Sequence, residues 1–456
     1  MTAGRAPDAR LLSAVLLGVS SGAILVPLNS TMLAVALPGV GDEFHIGANA
    51  VSSLVTLYLG AVAVALPVGG SIGDRWGHRP TFLAGVLGFA VASAVAALAG
   101  SFELLEVSRV GQAISGALIS TSSAALVRET APDARRGEAF GLFDLLVSTS
   151  AAIGPFIGGV LVGVFGWRSL FVLAVPLGIV SAAFVGIGLR PDAEQHAAAR
   201  QRPPASIDAP GLVLLALAIV AFLVALRSDG SLAIVAALAV VAFGAVFVGV
   251  ELRTDRPAVD PRLFLERPFA AAVAGVFGAT VILHGSFILV PQLVEHVLGQ
   301  TATTSGIVLL ALAGVGAVVS PFGGRFSDRR GRRAPVVAGA LISAVGLAFL
   351  ALPVALASAV AVAVLLGVVG FGNGLTSPRQ AAALESVEPR RVGMAAGTYY
   401  TGRYLGGVVG ASLAGAILGA QVSAAGVSAG FTVLAVVGFA VAFLSLGLRG
   451  VRRAAI

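Results

Sequence analysis

Along this chain apolar and polar positions do not alternate residue by residue. They come in long blocks, with continuous apolar runs separated by short polar loops. Fourteen runs fall near residues 12–36, 50–70, 80–99, 104–126, 139–163, 169–189, 210–227, 231–251, 269–291, 303–323, 334–352, 355–376, 393–419 and 428–448. A helix needs about 20 apolar residues to cross the hydrocarbon of a bilayer. A transmembrane strand would instead alternate over about 10 positions. The pattern therefore predicts an all-α polytopic membrane protein with 14 transmembrane helices. The first run is too long for a signal-peptide core and has no convincing cleavage site before the next, so it reads as a retained span. The runs are numbered below as spans 1–6, an extra pair (210–227 and 231–251), and spans 7–12.

Composition supports the pattern. Of 456 residues, 57% are hydrophobic and 11% charged, against about 45–50% and about 25% in an ordinary soluble domain. That excludes a soluble enzyme, a disordered chain and a disulfide scaffold. With no Cys, there is neither a disulfide nor a thiolate metal site. The net charge of +7 rests on 29 basic residues, all of them Arg. With the N-terminus inside, all but Arg109, Arg168, Arg227 and Arg403 fall in inner loops or in the tails. This is the positive-inside asymmetry, and it places the chain in the inner (cytoplasmic) membrane with both termini cytoplasmic. A nucleic-acid partner would need the charge gathered on one face, so none is expected.

The chain repeats itself. Gly70-Ser71-Ile72-Gly73-Asp74-Arg75-Trp76-Gly77-His78-Arg79 follows span 2, and Gly324-Arg325-Phe326-Ser327-Asp328-Arg329-Arg330-Gly331-Arg332-Arg333 follows span 8. Both fit G-x-x-x-D-R-x-G-x-R. The same loop in the same place of two six-span halves implies parallel repeats about an axis along the membrane normal. The polar stretch from Arg190 to Pro210 reads as a linker. The expected domains are thus 1–190, a six-helix bundle; 191–268, a cytoplasmic linker and two extra helices packed as a peripheral hairpin; and 269–456, a second six-helix bundle.

These motifs resemble the major facilitator superfamily, and within it the fourteen-span drug:proton antiporter branch. The repeated loop is similar to the superfamily's motif between spans 2 and 3. Arg109-Val110-Gly111-Gln112-Ala113 on span 4 is similar to R-x-x-Q-G, with Ala113 in place of Gly. Gly141, Ser150, Gly154, Pro155, Gly158 and Gly159 on span 5 resemble the antiporter motif, with Ser150 replacing one Gly. Trp167-Arg168-Ser169-Leu170-Phe171 resembles the start of span 6 in that branch. The resemblance implies the major facilitator fold, two six-helix bundles with a two-helix insertion, and alternating access with spans 1, 4, 7 and 10 lining a central cavity. One departure matters: where span 1 of the branch carries an Asp, this chain has Asn29, and Ala34 replaces a usual Asn. Asn cannot titrate, so a proton carrier must sit elsewhere or be missing.

Ionisable groups inside a span cost about 2.5–3.5 kcal/mol on insertion scales, which makes them functional candidates. The proton-coupling candidates are Asp144, Glu106, Arg109 and His284. Asp144 sits in span 5 between apolar neighbours; the competing reading is an ion pair with a loop arginine such as Arg135. Glu106 and Arg109 are three apart and share a helix face. They form either a working pair or a static one. His284 is the single His well inside a span. The substrate-cavity candidates are Asn29, Thr31, Gln112, Phe287, Asn373, Tyr399, Tyr400 and Arg403, with interhelical hydrogen bonding or packing as the alternative for each. The gating-loop candidates are Gly70, Asp74, Arg75, Gly77, Arg79, Gly324, Asp328, Arg329 and Gly331. Asp74 and Asp328 are expected to open the helices that follow, Gly77 and Gly331 to supply a positive φ. The resemblance gives this loop the role of a cytoplasmic latch. Gly402, Gly406 and Gly410 make a small-residue stripe on span 11 that permits close, sliding packing.

Two G-x-S-x-G strings, at Gly18 and Gly426, lie in or beside membrane helices and lack the strand-to-helix elbow that a serine hydrolase needs. No enzyme activity, metal or cofactor is expected. The sequence reads as a monomeric secondary transporter, with proton-coupled efflux of amphipathic or lipophilic small molecules as its activity. A proton symporter or uniporter for one metabolite stays open because of Asn29; a non-transporting sensor or scaffold is the remote alternative.

Overall fold

A computed structural model describes residues 9–130, 136–188, 208–228, 230–254, 257, 261–353, 355–388, 392–419 and 422–448. Among these residues the secondary structure is helical, with no strand. Twelve helices are long and apolar enough to cross a membrane. Two of the fourteen expected runs fall outside that set, although both are helical. Helix Ala209–Arg227 carries a shorter apolar stretch, Ala209–Ala225. Helix Val392–Leu418 is long, but Arg403 and its many glycines dilute its hydropathy. Glycines at positive φ close several helices. Gly331 (φ 80°) caps helix Ala302–Arg330, and Gly77 (φ 96°) separates helix Ser53–Trp76 from helix His78–Ala97.

Packing divides the chain into two compact units. The first comprises Met1–Ser30, Ala65–Gly154 and Arg168–Ile207, and the second Thr31–Val64, Pro155–Trp167 and Asp208–Ile456. The unit boundaries cut spans 1, 2 and 5 part-way along, whereas the sequence repeat predicts a cut between spans. The core of the first unit is apolar, built around Val19, Leu25, Phe82, Phe89, Ile119 and Val185. In the second unit Phe269, Ala272, Val336, Ala383, Tyr399 and Leu448 form one core cluster.

The second unit also holds the extra pair. Asp208 caps the first of these helices by accepting the Gly211 N–H at 3.0 Å. Leu215, Ile219 and Leu223 pack on Ala63 of span 2 and on Tyr404 and Leu405 of span 11. Helix Gly230–Glu251 buries almost nothing beyond its partner. Leu232, Ile234, Leu238 and Val241 are all exposed, as befits a helix bathed in lipid.

Candidate functional site

In the first unit the structure joins three of the sequence candidates. Arg109 on helix Phe102–Thr130 is 1% exposed. Its Nη1 donates to Asn29 Oδ1 at 2.7 Å and to Gln112 Oε1 at 2.6 Å. Gln112 Nε2 donates to Ser93 Oγ at 2.7 Å, and Ser93 Oγ to the Phe89 carbonyl at 2.7 Å. A buried charge must be hydrogen-bonded to persist. Here neutral amides contribute to that solvation at the position where the resemblance leads one to expect a carboxylate. Ser93 was missed by sequence reasoning, because nothing distinguishes it among the many Ser of Ala- and Gly-rich helices. Glu106 lies half-buried on the same helix. The side chains of Asp74, Asp144 and Asp328 lie outside the described residues.

In the second unit a different set meets. The Nδ1 of His284 is 3.1 Å from the Thr280 carbonyl, so that nitrogen carries the proton. Its ring stands edge-on to Phe287 with centroids 5.9 Å apart, and Phe287 is buried. Tyr399 is buried and Tyr400 exposed, with rings edge-on at 6.1 Å. Arg403 is exposed, and its carbonyl accepts from Thr280 Oγ1 at 2.8 Å. Asn373 is half-buried, and its carbonyl accepts from Thr376 Oγ1 at 2.8 Å. Thr31, half-buried, also belongs to this unit.

Gly158 and Gly159 of span 5 are contact points. A Cβ on Gly158 would stand 2.9 Å from the Met32 carbonyl, and one on Gly159 2.7 Å from the Ala302 carbonyl and 3.0 Å from Gly306 Cα. Two backbones touch there with no side chain between them. Thr303 Oγ1 donates to the Gly159 carbonyl at 3.1 Å. Pro155 lies inside helix Arg136–Phe165, one residue after Gly154. Gly141 falls in the same helix, and Ser150 Oγ donates to the Val147 carbonyl at 2.7 Å. Gly410 and Gly402 pack on Val281 and Val273 of span 7.

Around this seam lie polar contacts that the sequence did not single out. Trp167 Nε1 donates to Glu43 Oε2 at 2.7 Å, His296 Nε2 meets Asp42 Oδ1 at 3.2 Å, and Ser305 Oγ donates to Glu295 Oε1 at 2.8 Å. Glu43, Asp42 and Glu295 lie at the ends of apolar runs, where charges read as ordinary loop residues.

The repeated loop corrects one expectation. Asp74 and Asp328 do not open the following helices. Each lies in the last turn of the preceding one, because the helix runs on until glycine stops it. The N-cap positions are Gly77 and Arg332. Gly70 and Gly324 have open space where a Cβ would stand. Arg75 and Arg329 are exposed, and Arg79 Nη2 donates to the Gly186 carbonyl at 2.9 Å. In the second copy, Arg332 grips Glu385 through two bonds, at 2.5 and 3.2 Å, and reaches Ser327 Oγ at 3.1 Å. An open groove of about 410 Å³ beside this loop is lined by Arg330, Arg333, Ala334, Val337, Ala338, Leu341 and Leu446, so none of the predicted cavity residues borders it.

The repeat, the helical architecture and the loop geometry agree with one comparison in particular. The family model described as Major Facilitator Superfamily matches residues 19–378 and again 269–455. The chain belongs to the Major Facilitator Superfamily. It is a multi-pass membrane transporter of that superfamily, whose members are not enzymes. Its relatives include drug-resistance transporters. It is 35% identical over 343 residues to the tetracenomycin C resistance and export protein of Streptomyces glaucescens, covering 73% of this chain and 62% of that one. It is 30% identical over 403 residues to the multidrug resistance protein Stp of Mycobacterium tuberculosis, covering 87% and 74%. A crystal structure of a POT family transporter in complex with 5-aminolevulinic acid shares the fold. The TM-score is 0.70 at 17% identity, over 96% of this chain and 95% of that one.

Proposed function

We propose that this major facilitator is a fourteen-span, proton-coupled exporter of amphipathic or lipophilic small molecules, working by alternating access. The observation that carries the reading is similarity over most of the chain to relatives named for drug resistance and export. Two of the antiporter-like glycines of span 5, Gly158 and Gly159, support it, since both are points of backbone contact. Asp144, Glu106, Arg109 and His284 are the groups proposed to serve the proton. Asn29, Thr31, Gln112, Phe287, Asn373, Tyr399, Tyr400 and Arg403 are proposed to meet cargo. The domains are proposed as 1–190, 191–268 and 269–456, in a monomer with both termini cytoplasmic.

The test is transport in proteoliposomes under imposed pH and voltage gradients, with Asp144→Asn and Arg109→Ala beside wild type. Cargo movement that follows the pH gradient and fails in Asp144→Asn is the expected result. Transport indifferent to the pH gradient would replace antiport by the second reading, a uniporter. That reading is favoured by one observation: the group facing Arg109 from span 1 is an amide and not an acid.

A further inference from the structure

Arg379 lies beyond the end of span 10, in the short helix Arg379–Leu384. It is 3% exposed, and its Nε and Nη2 are buried without an acceptor. The fold makes room for it. A Cβ on Gly275 of span 7 would stand 2.7 Å from Nε and 2.9 Å from Cδ, so only glycine leaves space for this side chain. Buried guanidinium groups are as a rule paired or fully hydrogen-bonded. Among the described residues no carboxylate pairs with this one.

A second guanidinium lies on the neighbouring helix. Arg403 follows Tyr399 and Tyr400 by four and three residues on helix Val392–Leu418, spacings that share a helix face, and Tyr399 packs in one core cluster with Ala382 and Ala383 of the Arg379 helix. Gln380 Nε2 donates to Tyr400 Oη at 3.2 Å, which ties the Arg379 helix to the helix bearing Arg403. Arg403 is exposed part-way along a membrane helix, and no described carboxylate pairs with it either. This pair of helices therefore carries two guanidiniums without a described carboxylate and two tyrosine rings, one of which is exposed.

We propose that Arg379 and Arg403, with Tyr399 and Tyr400, form the binding site for the acidic group of an aromatic organic anion, a carboxylate or phenolate, carried as cargo. This rests on the transport reading and names its substrate class. Guanidinium forks bind carboxylates by two parallel, charge-assisted bonds. Tyrosine faces suit the flat apolar body of such a molecule. Two fixed positive charges work against a cationic drug at the same place.

Three probes with one apolar body separate the possibilities: pyrenebutyrate, its neutral amide, and a pyrenebutyl trimethylammonium. Binding is read by pyrene fluorescence on the purified full chain in nonionic detergent, and transport in phosphatidylcholine proteoliposomes. The carboxylate should bind about tenfold more tightly than the amide, and the ammonium more weakly than either. Arg403→Gln and Arg379→Gln should each remove most of that preference, and the Lys variants should keep part of it. Because Arg379 is buried and its Gln variant is at risk of misfolding, the exposed Arg403 carries the test independently. Equal affinity for all three probes, or a preference unchanged in Arg403→Gln, overturns the proposal. So does loss of carboxylate binding on adding phosphatidylglycerol, which would make a lipid headgroup the occupant. Transport of the amide or the ammonium without the carboxylate overturns the anion class and leaves the transport reading standing. Failure to bind or move any probe overturns both.

Discussion

Asn29 Oδ1 accepts a hydrogen bond from Arg109 Nη1 at 2.7 Å, so a neutral amide on span 1 helps to solvate a buried guanidinium on span 4. Truncating one partner of a buried charged hydrogen bond costs about 1–3 kcal/mol. Asn29→Ala should therefore lower the thermal midpoint of the purified protein by a few degrees. Asn29→Asp should keep the contact and add a titratable group, raising the number of protons moved per cargo molecule. That ratio is measured by balancing imposed pH and cargo gradients in proteoliposomes. An Asn29→Ala protein as stable as wild type would show that the amide does not hold the guanidinium.

The contact between span 5 and span 8 can be locked chemically. A Cβ on Gly163 would lie 3.8 Å from Thr303 Cβ, and disulfides have Cβ···Cβ distances of about 3.5–4.5 Å. The chain has no Cys, so Gly163→Cys with Thr303→Cys introduces a single possible bridge. The double variant should crosslink on mild oxidation, lose most of its transport and regain it on reduction. Full transport in the crosslinked form would mean that this seam does not open during turnover.

The second loop offers a contrast between geometry and charge. Gly331 sits at φ 80°, where a side chain costs about 1–3 kcal/mol. Gly331→Ala should measurably lower the thermal midpoint. Glu385 is 58% exposed where it meets Arg332, and exposed ion pairs contribute about 0–1 kcal/mol. Glu385→Gln should leave the midpoint nearly unchanged while altering turnover, if the Arg332 grip must break in the cycle. Unchanged turnover in Glu385→Gln would assign the pair no part in gating.

What the sequence showed and what it hid follow physical lines. Membrane helices announce themselves because each must be apolar along its own length, so the runs holding Arg109, His284 and Arg403 are legible in the sequence alone. Asn29 stands out in the sequence as a departure from a pattern, but its contact with Arg109 does not, because the spacing on span 4 pairs that Arg with Glu106. Ser93 does not stand out, because a hydroxyl that completes a chain of hydrogen bonds looks like any other hydroxyl. Arg379 lay between two runs and read as a loop residue. Only folding shows that the segment after Pro378 is helical and that Arg379 is buried there. Its signal, a lone Arg before the apolar Ala381-Ala382-Ala383-Leu384, is faint. Asp74 and Asp328 were misplaced by one helix end, since sequence marks a turn more sharply than it marks which helix owns the residue beside it.

Arg379 and Arg403 also have an electrical consequence. A guanidinium keeps its charge in any protein environment, and neither of these meets a carboxylate among the described residues. Moving one elementary charge through the full membrane potential is worth about 2.3 kcal/mol per 100 mV. If these helices shift along the membrane normal during the cycle, the two cations shift with them and the field works on that step. An organic anion seated between them would subtract one charge from the moving set. The resting potential would then act differently on the loaded and the empty carrier, and the voltage across the bilayer would itself distinguish a productive stroke from an idle one.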